Sequence, residues 1–276
     1  MPIYQGISTK NKAEIIINNV QMQKVYVGDR LVWQKPGVVN NDFITEWNLP
    51  SGDFTFPVAI SALTYDCVID WGDGSSSIIT AYNDADLTHS YASAGTYQIK
   101  VSGTLGSFYI NNGVTKLLIT KVINWGNVGM QLIYNGFYGA SNLTEIPNGP
   151  ITGMDGVSSG SYLRLFYGTG LTSIPANLFA QSTWALSISY MFYGTPLTGI
   201  PAGLFTPLSS IVSCNNMFHG CSSLTGASGG LWLNPGSAAN YNLISPNYNS
   251  GVPNGNDCYR SCAGLSDYAT IPTYWK

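Results

Sequence analysis

Few side chains in this chain of 276 residues are equipped for chemistry. Two histidines, His89 and His219, can titrate near neutral pH. The five cysteines, Cys67, Cys214, Cys221, Cys258 and Cys262, are odd in number, which argues against a disulfide framework. Four of them, with His219, could imitate a zinc site. Their spacings of six and three intervening residues are not the two-residue knuckles that suit zinc, so buried thiols are expected instead. Asp70 and Asp73 fall in "DWGDGS" (70–75). A glycosidase needs two carboxylates held apart across a cleft. Here the aspartates suit a tight turn, bonding backbone N–H groups while Gly72 and Gly74 take positive φ. Asp84 and Asp86 in "NDADLTH" (83–89) are candidate calcium ligands, but a hard cation wants six or more oxygens. No G-x-S-x-G and no glycine-rich phosphate loop occurs. The expectation is a protein that is not an enzyme, with no catalytic residue, cofactor or metal. A polysaccharide-cleaving activity lacks its acid pair.

One set of residues stands out by repetition. The chain reads "FYGASNLTEIP" at 137–147, "FYGTGLTSIP" at 166–175 and "FYGTPLTGIP" at 192–201. Aligned on the first aromatic, the phrases begin at Phe137, Phe166, Phe192, Phe218 and Tyr259, in steps of 29, 26, 26 and 41. The last step spans an insertion at 229–257. The next residue in each is Tyr138, Tyr167, Tyr193, His219 and Arg260. Strand side chains alternate, so an inward aromatic puts its neighbour outward. These five form a candidate exposed binding stripe for a glycan or a protein, because tyrosine is an amphipathic contact residue. The competing reading is that the tyrosines simply cover neighbouring repeats on a charge-poor surface.

The elements that would position this stripe follow from the same period. Steps of 20–29 residues are those of leucine-rich repeats, one short strand per repeat in a stack. Phe137 and its equivalents, with Leu143, Ile146, Leu171, Ile174, Leu197 and Ile200, would fill a shared core. Gly139, Gly168, Gly194 and Gly220 would turn the chain. Pro147, Pro175, Pro201 and Pro272 would end each strand, since proline cannot donate to a ladder. Phe179 and Phe205 would start the return arm. Upstream, 43–107 reads as a small β-sandwich, with apolar runs "FTFPVAI", "YDCVIDW", "SSIIT" and "YQIKVSG". In 1–36, "EIIIN", "KVYVG" and "LVWQ" read as three strands, too few residues to bury a core alone. "KPGVVNND" (35–42) is a linker. The expected class is mainly β, in three domains: a small N-terminal β anchor module (1–36), a sandwich (37–107) and a repeat solenoid with short strands (108–276). The candidate anchor residues are Val25, Tyr26, Val27, Leu31, Val32 and Trp33.

Composition narrows the setting. Hydrophobic residues make 45%, but charged ones only 9%, against roughly 25% in ordinary soluble proteins. Net charge is −3 with no Lys/Arg cluster, so nucleic acid is not an expected partner. No 18-residue apolar run marks a membrane-inserting helix. The N-terminal stretch lacks the apolar segment of a secretion signal.

Three stretches resemble known families. "VIDWGDGS…LTHSYASAGTYQIKVSG" is similar to the polycystic-kidney-disease domain, with its three signature pieces at Trp71–Gly74, His89–Tyr91 and Ala94–Tyr97. This implies an immunoglobulin-like sandwich acting as a spacer, with His89 in a structural hydrogen bond. "MFHGCSSLTG" (217–226), its degenerate copy "CYRSCAGLS" (258–266) and the join "INWGNVG" (123–129) resemble the bacterial surface-protein leucine-rich repeats of the BspA type. Together these cover about 41–276. "KVYVGDRLVWQ" (24–34) resembles short β modules that open phage tail and capsid-decorating proteins. The resemblances imply a bacteriophage virion protein, such as a capsid decoration, head fibre or tail fibre. Residues 1–36 would attach to other virion proteins and the solenoid would face a host glycan or protein. Such proteins are commonly homo-oligomers, often trimers. Assembly in the host cytoplasm suits unpaired cysteines and the missing secretion signal. The alternative is an adhesin on the bacterial cell surface.

Overall fold

The structure, a computed structural model, describes residues 40–59, 63–153, 161–182, 185–208, 211–230 and 255–276, and the backbone of four short strands before them. Those strands pair as two antiparallel hairpins. β1 (Ile15–Ile17) joins β2 (Val20–Met22), and β3 (Lys24–Val27) joins β4 (Arg30–Gln34). The expected three strands are thus four. "VQM" at 20–22 carries no alternating run of its own and is recognisable only by its partner. In the second hairpin Val25 opposes Trp33 and Tyr26 opposes Leu31, and the register shift between them takes up Val32. Backbone alone is described for the candidate anchor residues Val25, Tyr26, Val27, Leu31, Val32 and Trp33; their side chains lie outside the described residues.

Seven further strands follow: β5 (Phe43–Leu49), β6 (Gly52–Thr55), β7 (Tyr65–Asp70), β8 (Ser76–Ile79), β9 (Thr88–Tyr91), β10 (Gly95–Leu105) and β11 (Ile119–Asn124). Five make an antiparallel sheet in the order β11-β5-β10-β7-β8, and β6 pairs with β9. Period-two alternation is clean in β7, where Tyr65, Cys67 and Ile69 are buried between exposed Asp66 and Val68. The aromatics of the two sheets meet in one core. The Trp47 ring lies 5.0 Å from Phe54, and its indole N–H donates to the Thr45 hydroxyl at 2.7 Å, whereas the buried Trp125 indole N–H in the same core has no partner. β11 pairs with β5, so the sheet runs past residue 107, the expected end of the sandwich.

Beyond the sheet, helical structure among the described residues is confined to short 3₁₀ turns such as Val114–Leu117, and the molecule is mainly β. The described residues of the repeats hold no strand, contrary to the one short strand expected in each; the repeats join through isolated parallel bridges, Ser161 to Ser187 and Ser187 to Ser213, and the phrases run through hydrogen-bonded turns. A single hydrophobic cluster runs without a break from Phe43 in the sheet to Trp275 near the C-terminus.

Candidate functional site

Each repeat is built on the same backbone pattern, and the pattern places the stripe. The phrase aromatic donates its amide to the next repeat: Phe137 to the Leu165 carbonyl, Phe166 to Met191 and Phe192 to Met217, each at 2.9 Å, and Phe218 to Cys258 at 2.8 Å. Two residues on, Gly139, Gly168, Gly194 and Gly220 donate in turn to Tyr167, Tyr193, His219 and Arg260. These glycines have φ between 63° and 80°, the left-handed region that glycine enters most readily, and Ser261 takes their place at 67° in the last repeat. The phrase aromatics stack as expected. Phe137, Phe166, Phe192, Phe218 and Tyr259 follow at 5.6, 5.5, 5.6 and 5.6 Å, all fully buried.

The following residues make a second row on the outside. Tyr138 meets Tyr167 at 4.7 Å edge-on, Tyr167 lies parallel to Tyr193 at 4.5 Å, and Tyr193 tilts against His219 at 4.7 Å. All four rings are half-buried, while Arg260 is exposed with its guanidinium 3.8 Å from Asp257. Burial, with the neighbouring Tyr193 and Tyr138, raises the Tyr167 phenol above its ordinary value, which keeps it a neutral donor. Burial first, and then the Arg260 charge, holds the His219 imidazole below its ordinary value. Its Nδ1 lies 2.8 Å from Asn216 Oδ1.

Two members of this face are not evident from sequence. Tyr190 lies 6.0 Å from Tyr193, and the Arg164 guanidinium sits 5.2 Å over the Tyr190 ring. Both precede a phrase aromatic by two, so strand alternation would turn them inward with it. Instead Asn135, Arg164, Tyr190, Asn216 and Asp257 all have φ between 52° and 58°. The phrase is a turn and not a strand, and its left-handed residue brings Tyr190, Asn216 and Asp257 against the row, with Arg164 over Tyr190. The available signal was the polar column Asn, Arg, Tyr, Asn, Asp at one phrase position.

The other candidate groups serve the fold. Asp70 Oδ1 accepts the Gly72 amide at 2.9 Å, and Asp73 Oδ1 accepts that of Ser75 at 3.0 Å. Gly72 and Gly74 have φ of 81° and 95°. His89 Nε2 is 2.7 Å from Asp73 Oδ2, and its ring stacks on Trp71 at 5.0 Å. Partial burial opposes it, but the hydrogen bonds from Ser75 and His89 still hold the Asp73 carboxyl below its ordinary value. Asp84 caps a turn, accepting the Asp86 amide on one oxygen and the Thr80 amide and hydroxyl on the other. All five cysteines are buried and none forms a disulfide. Cys221 and Cys262 donate to the carbonyls of Phe192 and Phe218 in the preceding repeat, each at 3.0 Å, whereas Thr169 and Thr195 at the same phrase position donate to the carbonyl of their own aromatic, Phe166 and Phe192. Burial pushes Cys67 up to about 12 and Cys221 to about 11, so neither is a thiolate near neutrality. Among the described residues no three His, Cys, Asp or Glu side chains gather to hold a cation. The depression beside Thr144 and Ser173 has Glu145 as its one carboxylate, and that beside Asn41, Asn127 and Gln181 has none.

No protein-family model matches this chain, and no match to it was found among the curated proteins or the solved structures.

Proposed function

We propose that the protein is a non-enzymatic surface component of a bacteriophage virion, a capsid decoration, head fibre or tail-associated protein. In this reading residues 1–36 hold it to other virion proteins. The sheets of residues 40–107, with β11, form an immunoglobulin-like spacer akin to the polycystic-kidney-disease domain. Residues 108–276 form a leucine-rich-repeat-like solenoid of the BspA type that meets a host-surface glycan or protein. Homo-oligomers suit such a position on a particle. The observation that carries the reading is the continuous row Tyr138, Tyr167, Tyr193 and His219, a contact strip of stacked rings. The five reduced, buried thiols support assembly in a reducing compartment.

The repeat phrases favour a second reading equally, an adhesin on a bacterial cell envelope. An antibody to residues 108–276, with gold labelling of the producing culture, separates the two. Gold on phage-like particles is the expected result. Gold on envelopes with bare particles would overturn the virion assignment and leave the adhesin.

A further inference from the structure

The two central repeats break a local preference. At the left-handed position before each aromatic, three repeats use Asn135, Asn216 and Asp257, and Asn and Asp tolerate that backbone well. The repeats between them use Arg164 and Tyr190, at φ of 52° and 58°. Residues kept in an unfavoured conformation gather at binding sites. Both side chains join the tyrosine row. Tyr190 lies 6.5 Å from Tyr167 and 6.0 Å from Tyr193, under the Arg164 guanidinium at 5.2 Å.

The row is also where positive charge collects. Lys116 stands at one end, its stem 3.2 Å from where a Cβ would sit on Gly139, beside Tyr138. Arg164 is in the middle and Arg260 at the far end. Among the described residues, Asp257 is the one carboxylate paired with any of the three. The whole chain has a net charge of −3, so this strip runs against the general sign. Its shape selects further. Tyr167 and Tyr193 face each other, and Tyr138 and His219 flank them, so ring edges rather than faces are left for a ligand. The rings run in one line from Tyr138 to His219, with Tyr190 and Arg164 beside them, which suits an extended polymer lying along the row.

Building on the adhesive reading above, we propose that this row binds an acidic polysaccharide, with tyrosine edges bonding its hydroxyls and Arg164 taking a carboxylate. A guanidinium can grip a carboxylate through two parallel hydrogen bonds, which a lysine cannot. The test uses the full chain with two probes of matched length, alginate as the uronic-acid polymer and dextran as the neutral one. Alginate binds, more weakly as salt rises, and dextran does not. Arg164→Asn lowers alginate affinity by roughly 10- to 100-fold. It melts no lower than the parent, because asparagine suits the left-handed backbone. Tyr190→Asn behaves the same way. Equal binding of both polymers, binding of neither, capture of a host protein in place of polysaccharide, or full alginate affinity in Arg164→Asn would each overturn the proposal. The double variant Tyr167→Ser/Tyr193→Ser keeps the two readings apart. If it loses attachment to cells of the producing culture, the adhesive row stands even where the acidic polymer fails. If it attaches like the parent, the adhesive reading falls too.

Discussion

Gly72 and Gly74 sit two residues apart in one turn, and an alanine at each would test a different force. At Gly74 nothing lies within 4 Å of an added Cβ, so Gly74→Ala meets only the left-handed backbone at φ 95°. Its expected cost is about 1–2 kcal/mol. At Gly72 the Cβ would also lie 2.6 Å from the Gln98 carbonyl oxygen. Gly72→Ala should therefore cost clearly more, and urea denaturation of both variants would rank them. In the same turn Asp73 gives a pH signature. Its folded carboxyl is held below the ordinary value of about 4, so its stabilisation is present above that pH. It is lost as pH falls through the folded value. Asp73→Asn should lower the midpoint of unfolding at pH 7 and leave it nearly unchanged once pH is below the folded value, flattening the acid limb. This turn was legible because Gly, Asp and His in "DWGDGS…THSY" each have a local job. Arg164 and Tyr190 were not, because the left-handed φ that turns them outward has no local mark when the residue is neither Gly nor Asn.

At the scale of the element, the stacked aromatic is the unit. Phe192 is fully buried between Phe166 at 5.5 Å and Phe218 at 5.6 Å. Phe192→Ala should cost about 3–5 kcal/mol, and it should also weaken both neighbouring repeats, since each is stable only against the next. Leu186, 43% exposed on the same repeats, is the control; Leu186→Ala should stay within about 0.5 kcal/mol. Hydrogen exchange would show whether the loss at Phe192 spreads to the amides of Phe166 and Phe218. The inward ladder could be read from the sequence because identical phrases return at a near-constant step. The strands β2, β5 and β11 could not, because each is short or interrupted by polar residues. The partner of β11 also lies more than seventy residues back along the chain.

At the scale of the whole molecule, the sheet and the repeats share one interior. Phe108, Ile119, Val122 and Trp125 come after residue 107, yet they pack in the cluster that holds Phe43 and Trp47. Trp125 reaches on to the Phe137 and Phe166 rings, at 6.1 and 6.2 Å. A fragment of residues 40–107 would expose the β5 edge and that aromatic surface. It should fail to melt cooperatively by circular dichroism and should aggregate. A sharp transition in this fragment would mean that the sheet is self-sufficient. The expected boundary at residue 107, where the apolar runs of the sandwich stop, falls just after the end of β10, and β11 returns the chain to the sheet beyond it.

The step from Phe218 to Tyr259 takes 41 residues where the earlier steps take 29, 26 and 26, yet the two rings stand 5.6 Å apart, as close as the other pairs in the column. The spacing of the column is therefore indifferent to how much chain passes between one rung and the next. Lengthening an already long connection between two fixed points costs little closure entropy, about 0.6 kcal/mol for each doubling. The count of residues between two rungs can therefore change by insertion or deletion while the rungs keep their distance.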